Sequence, residues 1–275
     1  GYISCELSHF YASLGTEVHM FVRSKFLNAE DDEVRQEFTR VFSARKNMNV
    51  YMKKTFHKVR YDEETKTFTV TYKGDDGETD VELSGDALLI AIGIVPNSDQ
   101  LQVEKAGIEV RKHGFIKVNE YLETTAPGVW ALGDIAGNYQ FRHCANMEGE
   151  YLNEVVLNLE NTDHKQKYPI DYAGMPHAVF TYPQVAGVGL TEEEVIEKGI
   201  SYVKGVNKYS QSAMGMALRS DHGFVKLLIE RGTRRILGCH IVGHEASVLL
   251  HEITVLMRKE GTLDDILYSI HIHPA

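Results

Sequence analysis

The stretch GYISCELSHFYASLGTEVHMFVR, residues 1–23, decides the fold class that this sequence predicts. Apolar residues recur along its first half with the period of an amphipathic helix, at Ile3, Leu7, Phe10 and Leu14. Gly15 follows where glycine commonly ends a helix, and residues 17–22 are rich in strand formers. A helix that begins at a glycine and leads into a strand is typical of nucleotide-binding α/β folds, in which the helix N-terminus meets a pyrophosphate. A helix that merely starts with glycine remains the alternative for this segment alone.

The residues after the first strand bear on the choice of nucleotide. In dinucleotide folds an acidic residue at this point binds the ribose of NAD, whereas a basic residue accommodates the 2′-phosphate of NADP. Here Arg23 and Lys25 follow the strand, and the next acidic residue is Glu30. The pattern favours NADP, with a solvated basic loop as the alternative.

The next hundred residues predict further strands. Residues 56–61, 67–73 and 80–83 predict an antiparallel meander, because GDDG at 74–77 is a strong hairpin signal. The continuous apolar run at 87–92 predicts a parallel strand that is buried on both faces.

A second candidate ligand site follows another apolar run. Residues 128–132 predict a short strand that Gly133 and Asp134 end, and residues 146–159 predict a helix. A carboxylate at the carboxyl end of a parallel strand lies where open α/β sheets bind ligands, although Gly-Asp alone is only a turn. The polar stretch 161–166 predicts a domain boundary.

The remaining residues predict an α+β module with an antiparallel sheet, since runs of strands occur with helices to one side. The predicted strands are 178–181, 185–190, 223–230 and 235–242, and the predicted helices are 192–198 and 246–259.

Composition excludes several classes of protein. The 275 residues include 29 basic and 39 acidic side chains, a formal net charge of −10, which argues against a general nucleic-acid binder. No apolar run approaches the length of a membrane span, and three cysteines without a C-x-x-C pair indicate a reducing, cytoplasmic compartment. We therefore expect a cytoplasmic, globular protein that does not associate with membranes.

Two histidines close the sequence, two residues apart. Histidine moves protons near neutral pH, so His271 or His273 could be a catalytic base, and a plain surface strand is the equal alternative. Metal binding by this pair lacks a further ligand nearby, and we predict no metal site.

Seven segments carry a resemblance to a known family, namely GYISCE (1–6), AIGIVPN (91–97), VWALGD (129–134), VFTYP (179–183), VAGVGLTE (185–192), ILGCHIVG (236–243) and HPA (273–275). In this order they resemble the flavin-dependent pyridine nucleotide-disulfide oxidoreductases, which include dihydrolipoamide dehydrogenase and the glutathione, mycothione and mercuric reductases. The resemblance implies an α/β chain with a Rossmann-like dinucleotide-binding domain, followed by an α+β dimerisation domain with an antiparallel sheet.

The resemblance also implies cofactor contacts with FAD and NADPH, or alternatively NADH, at Gly1, Tyr2, Ile3, Glu6, Arg23, Lys25, Gly93, Gly133, Asp134, His143 and Ala145. Gly1 and Ile3 would line the pyrophosphate, Tyr2 would cover the nicotinamide pocket, and Glu6 would reach toward the nicotinamide and flavin junction. Arg23 falls where the 2′-phosphate of NADPH is held.

On the flavin and substrate side, the resemblance implies that Asp134 binds the ribityl chain of FAD, with the backbone around 143–145 near the flavin ring. His273 would be the catalytic acid/base across a homodimer interface. The redox-active cysteine pair of the family would lie before Gly1, so we expect the chain to be the C-terminal part of a longer enzyme.

The implied domains are 1–96 for NAD(P), with a truncated start, 97–166 for the C-terminal part of the FAD-binding domain, and 167–275 for dimerisation, with a truncated end. The implied activity is NADPH-dependent reduction of a small disulfide, as in glutathione or mycothione reductase. The alternatives are an NAD-linked dihydrolipoamide dehydrogenase, a mercuric reductase, or a non-catalytic module for dinucleotide binding and dimerisation.

Overall fold

The computed structural model describes residues 1–157 and 168–274, which form two compact units. The larger unit combines residues 1–92 with those from 176 onward, and the smaller unit lies within 93–175. The predicted boundary at 96/97 lies close to the first division, whereas the predicted boundary within 161–166 and the end of the helix predicted to 159 lie outside the described residues.

The first part of the larger unit is a small parallel sheet with helices and a meander. Its elements are α1 (Tyr2–Ser13), β1 (Val18–Val22), α2 (Asp32–Ser43), β2 (Met48–Met52), β3 (Phe56–Asp62), β4 (Thr67–Lys73) and β5 (Asp80–Gly85). Strands β1 and β2 pair in parallel, and β3, β4 and β5 form an antiparallel sheet in that order. The predicted first helix, first strand and meander are confirmed, and β2 was not predicted.

Helix α1 packs through a face that its apolar pattern did not predict. The buried residues are Cys5, Ser8 and Ala12, whereas Ile3 and Phe10 remain 53% and 52% exposed. Small side chains at these three positions let the helix axis approach the sheet closely, and the larger apolar residues project away from it.

The predicted buried strand at 87–92 is wrong. No strand in the described part of the chain pairs with these residues, and Ile90 and Ile92 are 67% and 83% exposed. An apolar run becomes a strand only where a neighbouring strand offers its backbone groups, and within 1–157 and 168–274 the strands β1 and β2 pair only with each other.

The second part of the larger unit is a five-stranded antiparallel sheet in the order β6-β7-β10-β9-β8. Its elements are β6 (His177–Val179), β7 (Gln184–Gly189), α5 (Glu192–Glu197), β8 (Tyr202–Lys208), α6 (Ala213–Ala217), β9 (Phe224–Glu230), β10 (Ile236–Gly243), α7 (Ala246–Arg258) and α8 (Leu263–Leu267). The predicted antiparallel module is confirmed, with β8 as an additional strand.

Both faces of this sheet are covered. Cys239 and Ile241 of β10 share a core with Leu250 of α7, whereas Val242 lies in the core that contains Phe38 and Phe42 of α2. Successive residues of a strand point to opposite faces, so β10 joins the two cores. For this reason the two parts form one unit.

A buried lysine also links the two parts. Lys226 of β9 has no exposed side-chain surface, and its Nζ lies 2.9 Å from both carboxylate oxygens of Asp31. Glu33 and Glu192 lie 2.7 Å and 2.5 Å from the same nitrogen. Burial alone would lower the pKa of Lys226, but hydrogen bonds with Asp31 and Glu192 outweigh it and raise that pKa. The ion cluster ties β9 to the first turns of α2 and α5.

The smaller unit has little regular structure. It contains α3 (Ser98–Leu101) and α4 (Arg142–Leu152), and α4 runs on into a π-helical turn over Asn153–Leu157. The strand predicted at 128–132 is wrong, because its backbone bonds go to a neighbouring loop at 122–126. No helix in 1–157 or 168–274 has the length and apolar character needed to cross a bilayer.

We expect the substitution Lys226→Met in the full-length protein to lower the free energy of unfolding by about 3–5 kcal/mol, because it leaves the buried carboxylate of Asp31 without its cation. Urea denaturation followed by circular dichroism measures this change. The control is Lys198→Met, an exposed lysine beyond α5, which we expect to change stability by less than about 0.5 kcal/mol. Equal stability of the two variants would contradict the structural role of the cluster.

Candidate functional site

Among the described residues, no side chain caps the N-terminal end of α1. Gly1 precedes the helix, a Cβ added there would meet no atom within 4 Å, and the first turn contains no acidic residue. By contrast, Asp31 caps α2 by accepting from the backbone N–H groups of Glu33 and Val34. The first N–H groups of α1 and its dipole are therefore available to an anion such as a pyrophosphate. Ile3 lies exposed at the same end.

Tyr2 belongs to a chain of polar side chains at this end. Its hydroxyl donates to Glu30, and Oε2 of Glu30 lies 2.9 Å from Nε2 of His177. Burial and the carboxylate of Glu30 raise the pKa of Tyr2, so the phenol stays neutral. Burial favours the neutral form of Glu30, but the hydrogen bond and charge of His177 outweigh it and lower the pKa of Glu30. The chain links α1 to β6.

Glu6 makes a second link to the same strand. Its Oε1 accepts a hydrogen bond from the backbone N–H of Phe180, at 2.8 Å. The side chains of Tyr2 and Glu6 therefore both contact groups at β6 or just after it.

Gly187 of β7 lies between two histidines. A Cβ at this position would lie 2.7 Å from Nε2 of His177 and 2.9 Å from Nδ1 of His240, so a larger residue would displace the two rings. Nε2 of His240 lies 2.8 Å from the carbonyl oxygen of Leu190, whereas its buried Nδ1 has no hydrogen-bond partner in the part of the chain that the structure describes. Burial lowers the pKa of His240, which keeps the ring neutral.

Arg23 and Lys25 line an open groove of about 640 Å³ at the end of β1, together with Ser24, Asn28 and Lys53. Nζ of Lys25 also lies 3.7 Å from Oδ1 of Asp32. No carboxylate of the described residues pairs with Arg23 or Lys53. Three cations with a hydroxyl and an amide form a donor set that suits a phosphate monoester.

In the smaller unit, Gly133 and Asp134 form a 3₁₀ turn that packs on α4. Gly133 has a φ of +70°, and an added Cβ would lie 3.3 Å from Cβ of Ala145. Asp134 and His143 are exposed at this turn and on α4. The structure thus brings together Gly133, Asp134 and Ala145. Gly93 begins the unit with a φ of +141°, in open space.

Two protein-family models match this chain. The family model for pyridine nucleotide-disulphide oxidoreductases matches residues 1–149, and the model for the dimerisation domain of the same enzymes matches residues 175–275. The chain belongs to this family.

Curated relatives from the family cover the whole chain. Mycothione reductase of Mycobacterium tuberculosis is 35% identical over 277 residues, which are 100% of this chain and 58% of the relative. Dihydrolipoyl dehydrogenase 3 of Haloarcula marismortui is 30% identical over 100% of this chain and 56% of its own length. The chain therefore spans a little more than half the length of these relatives.

Solved structures show the same fold. The flavoprotein disulfide reductase RclA from Escherichia coli matches with a TM-score of 0.84 at 24% identity, over 100% of this chain and 60% of that one. LpdA from Mycobacterium tuberculosis matches with a TM-score of 0.87 at 23% identity, over 100% of this chain and 57% of that one. The predicted fold class and family are confirmed.

The three cysteines of the chain are buried thiols. Cys5, Cys144 and Cys239 are free and buried, and burial raises the pKa of each to about 12. Thiols with such values do not supply the thiolate that attacks a disulfide.

The two C-terminal histidines differ in their surroundings. Nε2 of His271 lies 2.8 Å from Oε1 of Glu252, and this contact raises the pKa of His271. His273 is exposed, and the contacts of the described residues do not join it to the other predicted site residues. In 1–157 and 168–274, no group of three or more histidine, cysteine or acidic residues is arranged to hold a metal ion.

Sequence reasoning missed Lys53, Glu30 and His177. Lys53 directly follows β2, and the ends of parallel neighbours lie side by side, so only a prediction of β2 would have indicated Lys53. Glu30 and His177 meet from distant parts of the chain, and no local pattern marks such a pair.

We expect Glu30→Gln to lower the free energy of unfolding at pH 7 by about 1–3 kcal/mol, because it removes a buried charge that His177 and Tyr2 satisfy. The folded state lowers the pKa of Glu30 below its ordinary 4.5, so this stabilisation is present above that pH and is lost as the pH falls below it. Urea titrations at pH 7 and pH 4 measure the difference between variant and wild type, which should shrink at pH 4. The exposed Glu17→Gln is the control, and a difference that grows at pH 4 would contradict the assignment.

Proposed function

We propose that the chain is the nicotinamide-binding and interface portion of an FAD-dependent oxidoreductase that moves electrons between NAD(P)H, flavin and a thiol or disulfide substrate. The observation that carries this proposal is the uncapped N-terminus of α1 together with a basic groove at the end of β1. Family membership supports it, as do relatives that are reductases and dehydrogenases.

NADPH is the proposed electron donor. The pyrophosphate would bind at Gly1 and Ile3, with Tyr2 and Glu6 at the nicotinamide end. The 2′-phosphate would bind among Arg23, Lys25 and Lys53, a donor set without a carboxylate among the groove residues. An NAD-specific enzyme would place an acidic residue at the end of β1, where this chain has Val22 and Arg23. This difference favours NADPH over NADH.

FAD is the proposed second cofactor. Asp134 would bind its ribityl chain, and the backbone at 143–145 would lie beside the flavin ring. The residues fit this role, because Gly133 lets the turn lie against Ala145 while the carboxylate of Asp134 stays exposed. A flavin held there would supply the hydride acceptor and electron carrier of the reaction.

A small disulfide is the proposed substrate, with His273 as the acid/base. The relative at 35% identity is a mycothione reductase, which supports a reductase of that type. The alternative is a dihydrolipoamide dehydrogenase, supported by relatives at 30% and 31% identity.

We also propose that the protein forms a homodimer in the cytoplasm. The match to a dimerisation domain supports it, and α7 leaves Val248, Leu249 and Val255 exposed while it buries Ile253. Free cysteines agree with a reducing compartment.

For the full-length enzyme, we expect Arg23→Ala and Lys53→Ala each to raise the KM for NADPH about tenfold or more, and to leave the KM for NADH nearly unchanged. A lost charge-assisted hydrogen bond is worth about 1.5–3 kcal/mol, and about 1.4 kcal/mol is a factor of ten. Initial rates with each nucleotide measure the effect.

Lys54→Ala is the matched control, because Lys54 pairs with Asp75 and with backbone carbonyls outside the groove. A wild-type enzyme that prefers NADH, or variants that raise the KM for both nucleotides alike, would overturn the NADPH assignment.

We expect His273→Gln to lower the rate of disulfide reduction by about 100-fold or more, because a general acid/base is lost. Reduction of ferricyanide by NADPH through the flavin should change little, since that reaction needs no proton transfer to a thiol. His271→Gln is the control in the same segment. A parallel loss of both activities would argue against the acid/base role, and a full-length protein without flavin absorbance would favour the non-catalytic module.

A further inference from the structure

Glu148 of α4 is a buried carboxylate that is not among the proposed cofactor contacts. Its side chain is among the largest fully buried ones, and it lies in the smaller unit directly behind the turn at Gly133. No lysine, arginine or histidine of the described residues forms an ion pair with it. A buried carboxylate without a cation is expensive unless hydrogen-bond donors surround it.

Donors converge on both of its oxygens. The backbone N–H of Gly133 donates to Oε2 at 2.5 Å. The hydroxyl of Tyr172 and Nδ2 of Asn138 donate to Oε1, the latter at 3.3 Å. The Cys144 thiol is a further neighbour, and burial together with Glu148 raises the pKa of Cys144 to about 12. The set satisfies the carboxylate and binds α4 to the turn.

The hydrogen bond from Gly133 to Glu148 lies next to the proposed FAD contact at Asp134. The N–H of Gly133 precedes Asp134 by one residue, in a turn with a φ of +70° at Gly133. The carbonyl of Gly133 accepts from the N–H groups of Ala136 and Gly137, so the bond to Glu148 holds the other side of the same peptide segment. If this N–H lost its acceptor, a buried donor would be left unsatisfied and the turn would rotate to find another partner. Asp134, exposed at the end of the turn, would then change direction.

We propose that Glu148 is a positioning residue for the flavin, whose carboxylate holds the N–H of Gly133 and so directs Asp134 toward the ribityl chain. This inference rests on the proposed FAD site. Glu148 acts through the backbone and does not touch the cofactor, so its contribution depends on the reach of its acceptor oxygen and not on its charge.

Two conservative substitutions separate the effect of side-chain length at position 148 from the effect of its charge. Glu148→Gln keeps the side-chain length and an oxygen that accepts from Gly133, but it removes the charge. Glu148→Asp keeps the charge and withdraws the oxygens by one methylene group. A positioning role predicts that the Gln variant binds FAD within about threefold of wild type, and that the Asp variant loses at least about tenfold in affinity.

The measurement is the dissociation constant of FAD for the full-length apoprotein, from quenching of flavin fluorescence. Amide hydrogen exchange of residues 133–137 in the same variants reports the turn directly, and it should be faster in Glu148→Asp than in wild type or Glu148→Gln. Tyr151→Phe is the matched control, because Tyr151 is buried on the same helix and its hydroxyl donates to the carbonyl of Tyr168, away from the turn. It should leave both quantities unchanged.

The outcomes are distinct. An Asp variant that binds FAD as tightly as the Gln variant, or more tightly, overturns the positioning role in favour of a charge effect. Loss of affinity in Tyr151→Phe equal to that in Glu148→Asp overturns it in favour of a general weakening of α4. Failure of the wild-type protein to bind FAD would instead refute the proposed function on which the inference rests.

Discussion

The ammonium group of Lys226 is completely buried, and the arrangement of the larger unit depends on how its charge is balanced. Removal of an ammonium ion from water carries a penalty of several kcal/mol, so the site is stable only where carboxylates approach at hydrogen-bond distance. Asp31 supplies both of its oxygens, and it is also the residue that caps α2. One side chain therefore fixes where α2 begins and holds that helix on the later antiparallel sheet.

Glu30, the neighbour of Asp31, extends this constraint to the nucleotide site. Its carboxylate is directed to Tyr2 and His177, whereas that of Asp31 is directed to Lys226. Two successive acidic residues thus tie one loop to α1 and β6 on one side and to β9 on the other. The loop also carries Arg23 and Lys25 of the groove, so these residues and the helix N-terminus are held within the same framework.

The smaller unit also contains a buried carboxylate, and no cation of its described residues pairs with it. Glu148 is satisfied by neutral donors, among them a backbone N–H, and it stabilises a turn instead of an interface between two parts of the chain. In both units, a buried carboxylate fixes the backbone beside a candidate cofactor site. The three cysteines are buried, and burial raises the pKa of each thiol, so they stay protonated.

The sequence by itself determined the elements whose signals are local. The period of the first helix, the Asp-Gly hairpin of the meander and the ordered family segments predicted α1, β3 to β5, the antiparallel module and the fold class. The strands predicted from the apolar runs at 87–92 and 128–132 are wrong, because a strand also needs a neighbouring strand, which the run itself does not indicate. Only the tertiary structure brought Lys53 to Arg23, His177 to Glu30 and Glu148 to Gly133. Periodicity and turn chemistry act between near neighbours in the chain, whereas a buried charge is satisfied by whichever group lies within hydrogen-bond distance in space.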